Sequence, residues 1–332
     1  MFRFKCKSRK GCVLVLLTLI FVFIINRFVR NISRTDIMNH GIMSDSNSAY
    51  SKTLTGCWSS SRACVRLFDT SKDYSNASQI NVCVYQIVPT IKKAIICIYD
   101  PKTDIYISKS ILNNGNWEGA LIGEVLNLLR TDQHMEFLDL GCNIGVYTIS
   151  VATLGRRVTA LDANRKNLEM LLTSLQIGNL TRNVTMLWNA LSDKSEVVNL
   201  KEDAGNVGGM AIVSGQELAP DFENSTIAVT LDDLEVMFRK KKLLIKMDIE
   251  RYEMKALLGA KRFFEYVNIR YLIMEWMHHA ETDTGLEIIQ FLSARGFVPY
   301  APNDRTRPLQ QETRNKWPND ILWKQTDSGI DK

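Results

Sequence analysis

Phe137-Leu-Asp-Leu-Gly-Cys-Asn-Ile-Gly145 is an apolar run that carries a carboxylate, Asp139, and turns on two glycines four residues apart into a segment of helical periodicity, Val146–Leu154. Glycine at such a turn takes positive φ and lets a ligand approach the backbone. The next apolar run, Arg157–Asp162, also ends in an acid. An acidic side chain about 20 residues beyond a glycine turn is where a ribose diol is held. The Gly141-x-x-x-Gly145 spacing lacks the third glycine that dinucleotide binders place against a pyrophosphate, and Tyr147 stands near that place. The pair of motifs points to a nucleoside cofactor without a pyrophosphate, S-adenosylmethionine. It counts against a nicotinamide-dependent oxidoreductase, which stays as the weaker alternative.

Working outward, residues from 134 on alternate between strand and helix patterns. Met135–Leu140, Arg157–Asp162, Val184–Trp188, Ile227–Thr230, Leu243–Met247 and Tyr271–Trp276 predict strands. Val146–Leu154, Asn164–Ile177, Leu231–Phe238 and Ile288–Arg295 predict helices. Phe297–Tyr300 and Ile321–Trp323 predict a closing antiparallel pair. Strands separated by helices imply an α/β fold with a mainly parallel sheet. Ligands on such sheets lie at the carboxyl ends of the strands, where Asp139, Asp162, Asp248 and Glu275 all fall. Ahead of this core, Val82–Val88, Ala94–Tyr99 and Ile105–Ser108 predict the strands of a small β-containing cap, and Trp117–Leu129 a helix leading into the core.

The 332 residues are 45% apolar, which suits a globular core, and carry 41 Lys+Arg against 36 Asp+Glu. Seven of those cations and no acid fall in residues 1–30. The remainder is therefore slightly acidic, which argues against a nucleic-acid partner. Gly11–Ile25 is uncharged and, extended to Val29, is long enough to span a membrane. Five basic residues precede it, which keeps the tail cytoplasmic and sends the rest of the chain to a lumen. No small-x-small cleavage site follows. The predicted organisation is a cytoplasmic tail 1–10, a transmembrane signal anchor 11–29, a luminal stem 30–80 rich in Ser, Asn, Asp and Thr, and a domain 81–332 with a cap 81–133 and a core 134–325. Glycosylation triplets at Asn31, Asn76, Asn179, Asn183 and Asn224 agree with a luminal location. So do Cys57, Cys64, Cys83 and Cys97, for which Cys57–Cys64 with Cys83–Cys97 is the preferred of three pairings. Cys142, inside the glycine turn, is expected to be buried and unpaired.

Lys246-Met-Asp248-Ile-Glu250-Arg-Tyr-Glu253 crowds three carboxylates and a lysine at the end of an apolar strand. Alternation places Lys246, Asp248 and Glu250 on one side. Charges clustered there are costly unless they bind something or pair with each other. A carboxylate with a raised pKa is a proton acceptor for a hydroxyl nucleophile. A divalent ion on the same oxygens is compatible with the residues but is not predicted, so the metal expectation is none. Glu275 ends a buried strand and joins the candidates. His278-His279 could supply a base or a metal ligand but reads first as a solvated loop, Asn206-Val-Gly208-Gly209 reads as a turn or a loop over the cofactor, and Arg239-Lys240-Lys241-Lys242 as a solvated helix end.

With these motifs in hand, the chain resembles the FkbM-type S-adenosylmethionine-dependent methyltransferases over about residues 105–325. The resemblance runs through Leu138–Thr148, Val158–Asn164, Asn189-Ala-Leu-Ser-Asp193, Thr230–Leu234 and Ile245–Glu253 with Leu258-Gly259-Ala260. It implies a Rossmann-like methyltransferase fold and methyl transfer to hydroxyl oxygens of sugars or other small molecules. It implies that Asp139, Gly141, Asn143, Gly145, Tyr147, Asp162, Ala163, Asn189 and Ala190 hold the cofactor, with Lys246, Asp248, Glu250 and Glu275 at the reacting end. Two positions depart from the family pattern: Asp162-Ala163 stands for Glu-Pro, and Arg251 for Gly. The expectation is a single-pass type II Golgi membrane protein that methylates a hexose hydroxyl of a glycan. A non-catalytic Star-like protein of secretory trafficking is the alternative from another class.

Overall fold

The computed structural model describes residues 57–58, 64–203, 205–213 and 224–326. The expected tail, anchor and much of the stem lie outside them. Among the described residues no helix is long and apolar enough to cross a membrane. The part of the expected stem that is described belongs to the domain, whose compact unit starts at Gly56. Val65 and Phe68 are buried, the Phe68 N–H donates to the Met186 carbonyl at 2.9 Å, and the Arg66 guanidinium lies 3.6 Å from the Trp188 ring centre. Three well-spaced contacts suffice to dock a segment whose composition is otherwise polar.

Eight strands form the main sheet: β1 Met135–Leu140, β2 Val158–Asp162, β3 Val184–Trp188, β4 Lys242–Met247, β5 Asn268–Glu275, β6 Phe297–Ala301, β7 Asp304–Pro308 and β8 Asp320–Gln325. Their order is β3-β2-β1-β4-β5-β8-β6-β7. The five strands from β3 to β5 are parallel, as the alternating pattern predicted. The closing pair is present: β6 runs antiparallel to β8, with Phe297 opposite Gln325 and Tyr300 opposite Leu322. β8 also runs antiparallel to β5, with Asp320 opposite Glu275.

The helices are α1 Ile107–Asn114, α2 Gly119–Thr131, α3 Val146–Thr153, α4 Arg165–Ile177, α5 Leu231–Phe238, α6 Glu253–Leu258, α7 Lys261–Tyr266 and α8 Asp283–Ser293. The pleat of β1 divides the core. Phe137 packs with α2, α3 and α4, while Leu138 and Leu140 pack with α5 to α8. Each such fully buried side chain contributes about 1.5–3 kcal/mol. On the first of these cores lies the hairpin Val82–Ile87 with Lys93–Ile98. Cys83 and Cys97 sit opposite each other in it and form the expected disulfide. Cys64 is also disulfide-bonded, while the side chain of Cys57, its expected partner, lies outside the described residues. Cys142 is free and buried, as read.

Two local expectations are corrected. Ile105–Ser108 is no strand, because Ile107 and Ser108 begin α1. The buried Asp104 carboxylate accepts the N–H groups of Ile107 (3.3 Å) and Ser108 (2.9 Å), which satisfies the open end of the helix. Asn206–Gly209 is neither a turn nor a free loop. It opens the strand Asn206–Val213 of a second sheet, with Glu196–Asp203, Ser225–Val229 and Ala190–Leu191. Buried Val198 and Leu200, either side of polar Asn199, are the period-two signal for Glu196–Asp203.

Gly141 and Gly145 take the positive φ expected of them, +80° and +92°. The reason each must be glycine differs from ligand approach. A Cβ on Gly141 would lie 1.8 Å from the Asp248 carbonyl oxygen, and one on Gly145 would lie 2.3 Å from Leu171 Cδ1. Gly155 has φ +81° with nothing near its missing Cβ. Gly155→Ala should therefore cost only the left-handed backbone penalty of about 1–2 kcal/mol, and Gly141→Ala a further 1–3 kcal/mol or so for overpacking. Denaturant unfolding of the two variants side by side checks the difference.

Candidate active site

A cleft of about 590 Å³ opens at the carboxyl ends of β1, β2, β4 and β5. It gathers Asp139, Gly141, Asn143, Tyr147, Asp162, Ala163, Asn189 and Ala190 with Lys246, Asp248, Glu250 and Glu275, all named from sequence. Gly145 does not line it; it sits behind the turn against Leu171.

The turn is fixed by β2. Both the Gly141 and Cys142 N–H groups donate to the Leu161 carbonyl, at 2.9 and 3.0 Å. Asp162 then clasps the turn. Its Oδ2 accepts the Asn143 N–H (2.7 Å), and its Oδ1 accepts the Asn164 N–H (2.7 Å) and Asn167 Nδ2 (3.2 Å). A carboxylate has about four acceptor positions, so one position on Oδ2 remains for a ribose hydroxyl. Asp162 thus serves the protein first and has room for one hydroxyl rather than a diol. Burial pushes its pKa up to about 7 against those three donors. Asp139 accepts the Thr148 hydroxyl at 2.6 Å and is raised by burial to about 6.

Asn189 lines the cleft and also ties neighbouring segments together. Its Oδ1 accepts the Arg66 N–H at 2.8 Å, and its Nδ2 donates to the carbonyls of Cys64 and Ile227, each at 3.0 Å. Both amide donors and one acceptor position are spent on seams between three segments, which leaves one acceptor position on Oδ1. Tyr147 is likewise engaged, donating its hydroxyl to Glu118 at the start of α2. The Asn206–Val213 strand closes over the turn: the Gly208 carbonyl accepts Asn167 Nδ2 at 2.8 Å, and a Cβ on Gly208 would lie 2.4 Å from Asn143 Oδ1.

At the far end, Lys246 is 2% exposed and lies 2.9 Å from Asp248 and 3.7 Å from Asp320. Burial raises Asp320 to about 6. Burial, then the carboxylates of Asp248, Glu253 and Glu250, pushes Glu275 up to about 9. The two histidines separate. His279 is buried with its Nε2 2.8 Å from Glu253, whose other oxygen accepts the Ile249 N–H at 2.9 Å. His278 lines the cleft, and burial and Arg251 hold its imidazole below the ordinary value. Asp320 and Glu118 were not foreseen. An antiparallel β8 must begin where the parallel strands end, so the acid directly before Ile321–Trp323 was the available signal for Asp320. Glu118 is brought in by a left-handed residue (φ +51°) that no sequence pattern marks.

Seven carboxylates and one lysine line the cleft, and no arginine among the described residues does. Such a site repels a pyrophosphate and favours a cationic donor with a sulfonium and an ammonium. Leu161, Ala163, Leu191 and Ile212 give the Asp162 end an apolar wall for a base. These residues fit S-adenosylmethionine.

Fold and cleft define an S-adenosylmethionine-dependent methyltransferase. Residues 139–299 match the family model of the methyltransferase FkbM domain. No curated protein matches the chain significantly. Among solved structures, the precorrin-6y C5,15-methyltransferase from Geobacter metallireducens is 14% identical, with 68% of this chain and 94% of that chain covered and a TM-score of 0.36. The O-methyltransferase from Bacillus cereus in complex with S-adenosylhomocysteine is 12% identical, with 63% and 82% covered and a TM-score of 0.38. The magnesium protoporphyrin IX methyltransferase from Synechocystis with bound S-adenosylmethionine is 14% identical, with 62% and 79% covered and a TM-score of 0.34.

The Asp162 pKa sets a sign for cofactor affinity. A ribose hydroxyl donates more strongly to the ionised carboxylate than to the neutral acid, so below about pH 7 binding is coupled to loss of a proton. Affinity for S-adenosylhomocysteine should rise up to about tenfold per unit between pH 5 and 7 and level off above. Asp162→Asn should weaken binding at pH 8 and flatten the slope. Calorimetric titration across that range checks both.

Proposed function

We propose that this protein is an O-methyltransferase of the secretory pathway that methylates a hexose hydroxyl of a glycan. In this reading the methyltransferase domain is luminal, held by residues 11–29 as a type II anchor in the Golgi membrane. The observation that carries the acceptor chemistry is the far end of the cleft, where Asp248, Glu250, Glu275 and Asp320 meet on the side away from Asp162. Sugar hydroxyls are donors and acceptors at once, and a cluster of carboxylates in mixed protonation states answers both needs. The compartment is supported by the Cys83–Cys97 disulfide and by the exposure of Asn76 and Asn179, both in glycosylation triplets.

When bound, S-adenosylmethionine supplies an electrophilic methyl on a positively charged sulfur. Asp162 would orient the ribose, and Leu161, Ala163 and Leu191 the base. Asp139, buried beside Lys246, keeps the turn's helix in place through Thr148. Asp248, half-exposed and held by Lys246, is placed to accept the hydroxyl proton of the acceptor on a carboxylate oxygen. Glu275, holding a proton at neutral pH, would donate to an acceptor oxygen. The fixed carboxylates would bring the hydroxyl into line, and positioning of this kind supplies much of the acceleration.

Arg251 does not obstruct this. It takes φ +74°, where glycine is at ease and a side chain costs about 1–2 kcal/mol. Its side chain is exposed and does not line the cleft.

Incubating the protein with glycans and deuterated S-adenosylmethionine should add a labelled methyl to a hexose, read by mass spectrometry. Asp162→Ala should abolish both the label and S-adenosylhomocysteine binding. Cofactor binding with no label on any sugar would overturn the glycan acceptor. Absence of cofactor binding in the parent protein would favour the non-catalytic trafficking role.

A further inference from the structure

Glu250, Glu275 and His278 each present one ligand atom at the far end of the cleft, and the three atoms lie within 4.8 Å of one another. They come from different places: the loop after β4, the last residue of β5, and the turn beyond it. Ligand atoms held about 2.1 Å from one ion lie up to about 4.2 Å apart, so a small inward movement would complete a coordination shell.

The Glu275 carboxyl is poised for a ligand. Its Oε2 is buried and meets no hydrogen-bond partner. An acceptor left in that state is unfavourable until something binds it. Its Oε1 faces His278 Nε2 at 3.8 Å, too long for a hydrogen bond. Neighbouring groups are already committed: His279 to Glu253, Lys246 to Asp248 and Asp320.

We infer that Glu250, Glu275 and His278 form a binding site for a divalent metal ion. Two carboxylates and one imidazole are a mixed oxygen and nitrogen set. This suits Mn²⁺ or a related first-row cation better than Ca²⁺, which takes six to eight oxygens. An ion bound there would take the place of the Glu275 proton, and three protein ligands leave positions open for water and for an acceptor hydroxyl. The site stands on the geometry of these residues. Its role, gripping the acceptor hydroxyl and easing loss of its proton, rests on the O-methyl transfer proposed above.

The full-length protein should bind one Mn²⁺ per chain, followed by loss of the free-ion paramagnetic resonance signal. Glu275→Gln and His278→Ala should each weaken that binding at least about tenfold. S-adenosylhomocysteine binding by the same samples reports that the variants are folded, and His278, on a partly exposed turn, is the substitution the fold tolerates best. Mn²⁺ left free at about 1 mM, or bound equally well by both variants, would overturn the site. Mn²⁺ binding without S-adenosylhomocysteine binding would support the ion site and sink the methyl-transfer reading, so the two failures are distinguishable.

Discussion

Lys246 ends β4 with its ammonium buried between Asp248 and Asp320, and the acidic half of the cleft depends on that contact. Burying an ammonium this deeply costs several kcal/mol unless it is well paired. Burial alone would push its pKa down, while Asp248, Glu118 and Asp320 raise it further, so the charge persists. The contact reaches outward in both directions. Asp320 belongs to β8, so Lys246 ties the parallel part of the sheet to its antiparallel edge. The Tyr147 ring lies 5.3 Å from the ammonium, and its hydroxyl donates to Glu118, which links the same charge to α3 and α2. Four elements distant in sequence thus share one cation.

A second constraint sits one layer behind. The glycine turn after β1 and the loop after β4 cross so closely that the Asp248 carbonyl occupies the volume where a Gly141 Cβ would be. The Asp248 N–H donates to the Leu140 carbonyl at 3.0 Å. The cofactor turn and the carboxylate loop are therefore one packed unit. Nucleophile and methyl donor must meet within small tolerances, and a shift of about 1 Å is costly to rate. Packing the two loops against each other's backbone is a direct way to hold that distance.

These constraints explain what was legible in the sequence. Local features were: the apolar run into Gly141, the acid at Asp162, the alternation of strand and helix, the Cys83–Cys97 pair and the closing β6–β8 pair all follow from short-range pattern. Roles that depend on distant partners were not. Asn189 lines the cleft, but nothing near it in sequence reveals that its amide also bonds Arg66, Cys64 and Ile227. Asp162 lines the cleft, but nothing local reveals that Asn143, Asn164 and Asn167 already draw on its carboxylate. Asn206–Gly209 has the composition of a turn, and pairing of its strand with Glu196–Asp203, itself paired with Ser225–Val229, makes it part of a sheet. Ile105–Ser108 has strand-like composition, and Asp104 overrides it by capping a helix.

The acidity of the cleft has a cost that bears on its chemistry. Burial holds Asp139 and Asp320 at about 6, Asp162 at about 7 and Glu275 at about 9, so the empty cleft keeps part of its charge neutralised by protons. A cationic donor replaces those protons as counter-charge, and its entry draws the carboxylates toward the ionised form. The gradient is uneven. The Asp162 end needs only a modest change, whereas Glu275, surrounded by Asp248, Glu250 and Glu253, keeps its proton unless a further cation comes close. The donor's positive charge therefore organises the near end and leaves Glu275 protonated. That asymmetry follows from one lysine shared among seven carboxylates.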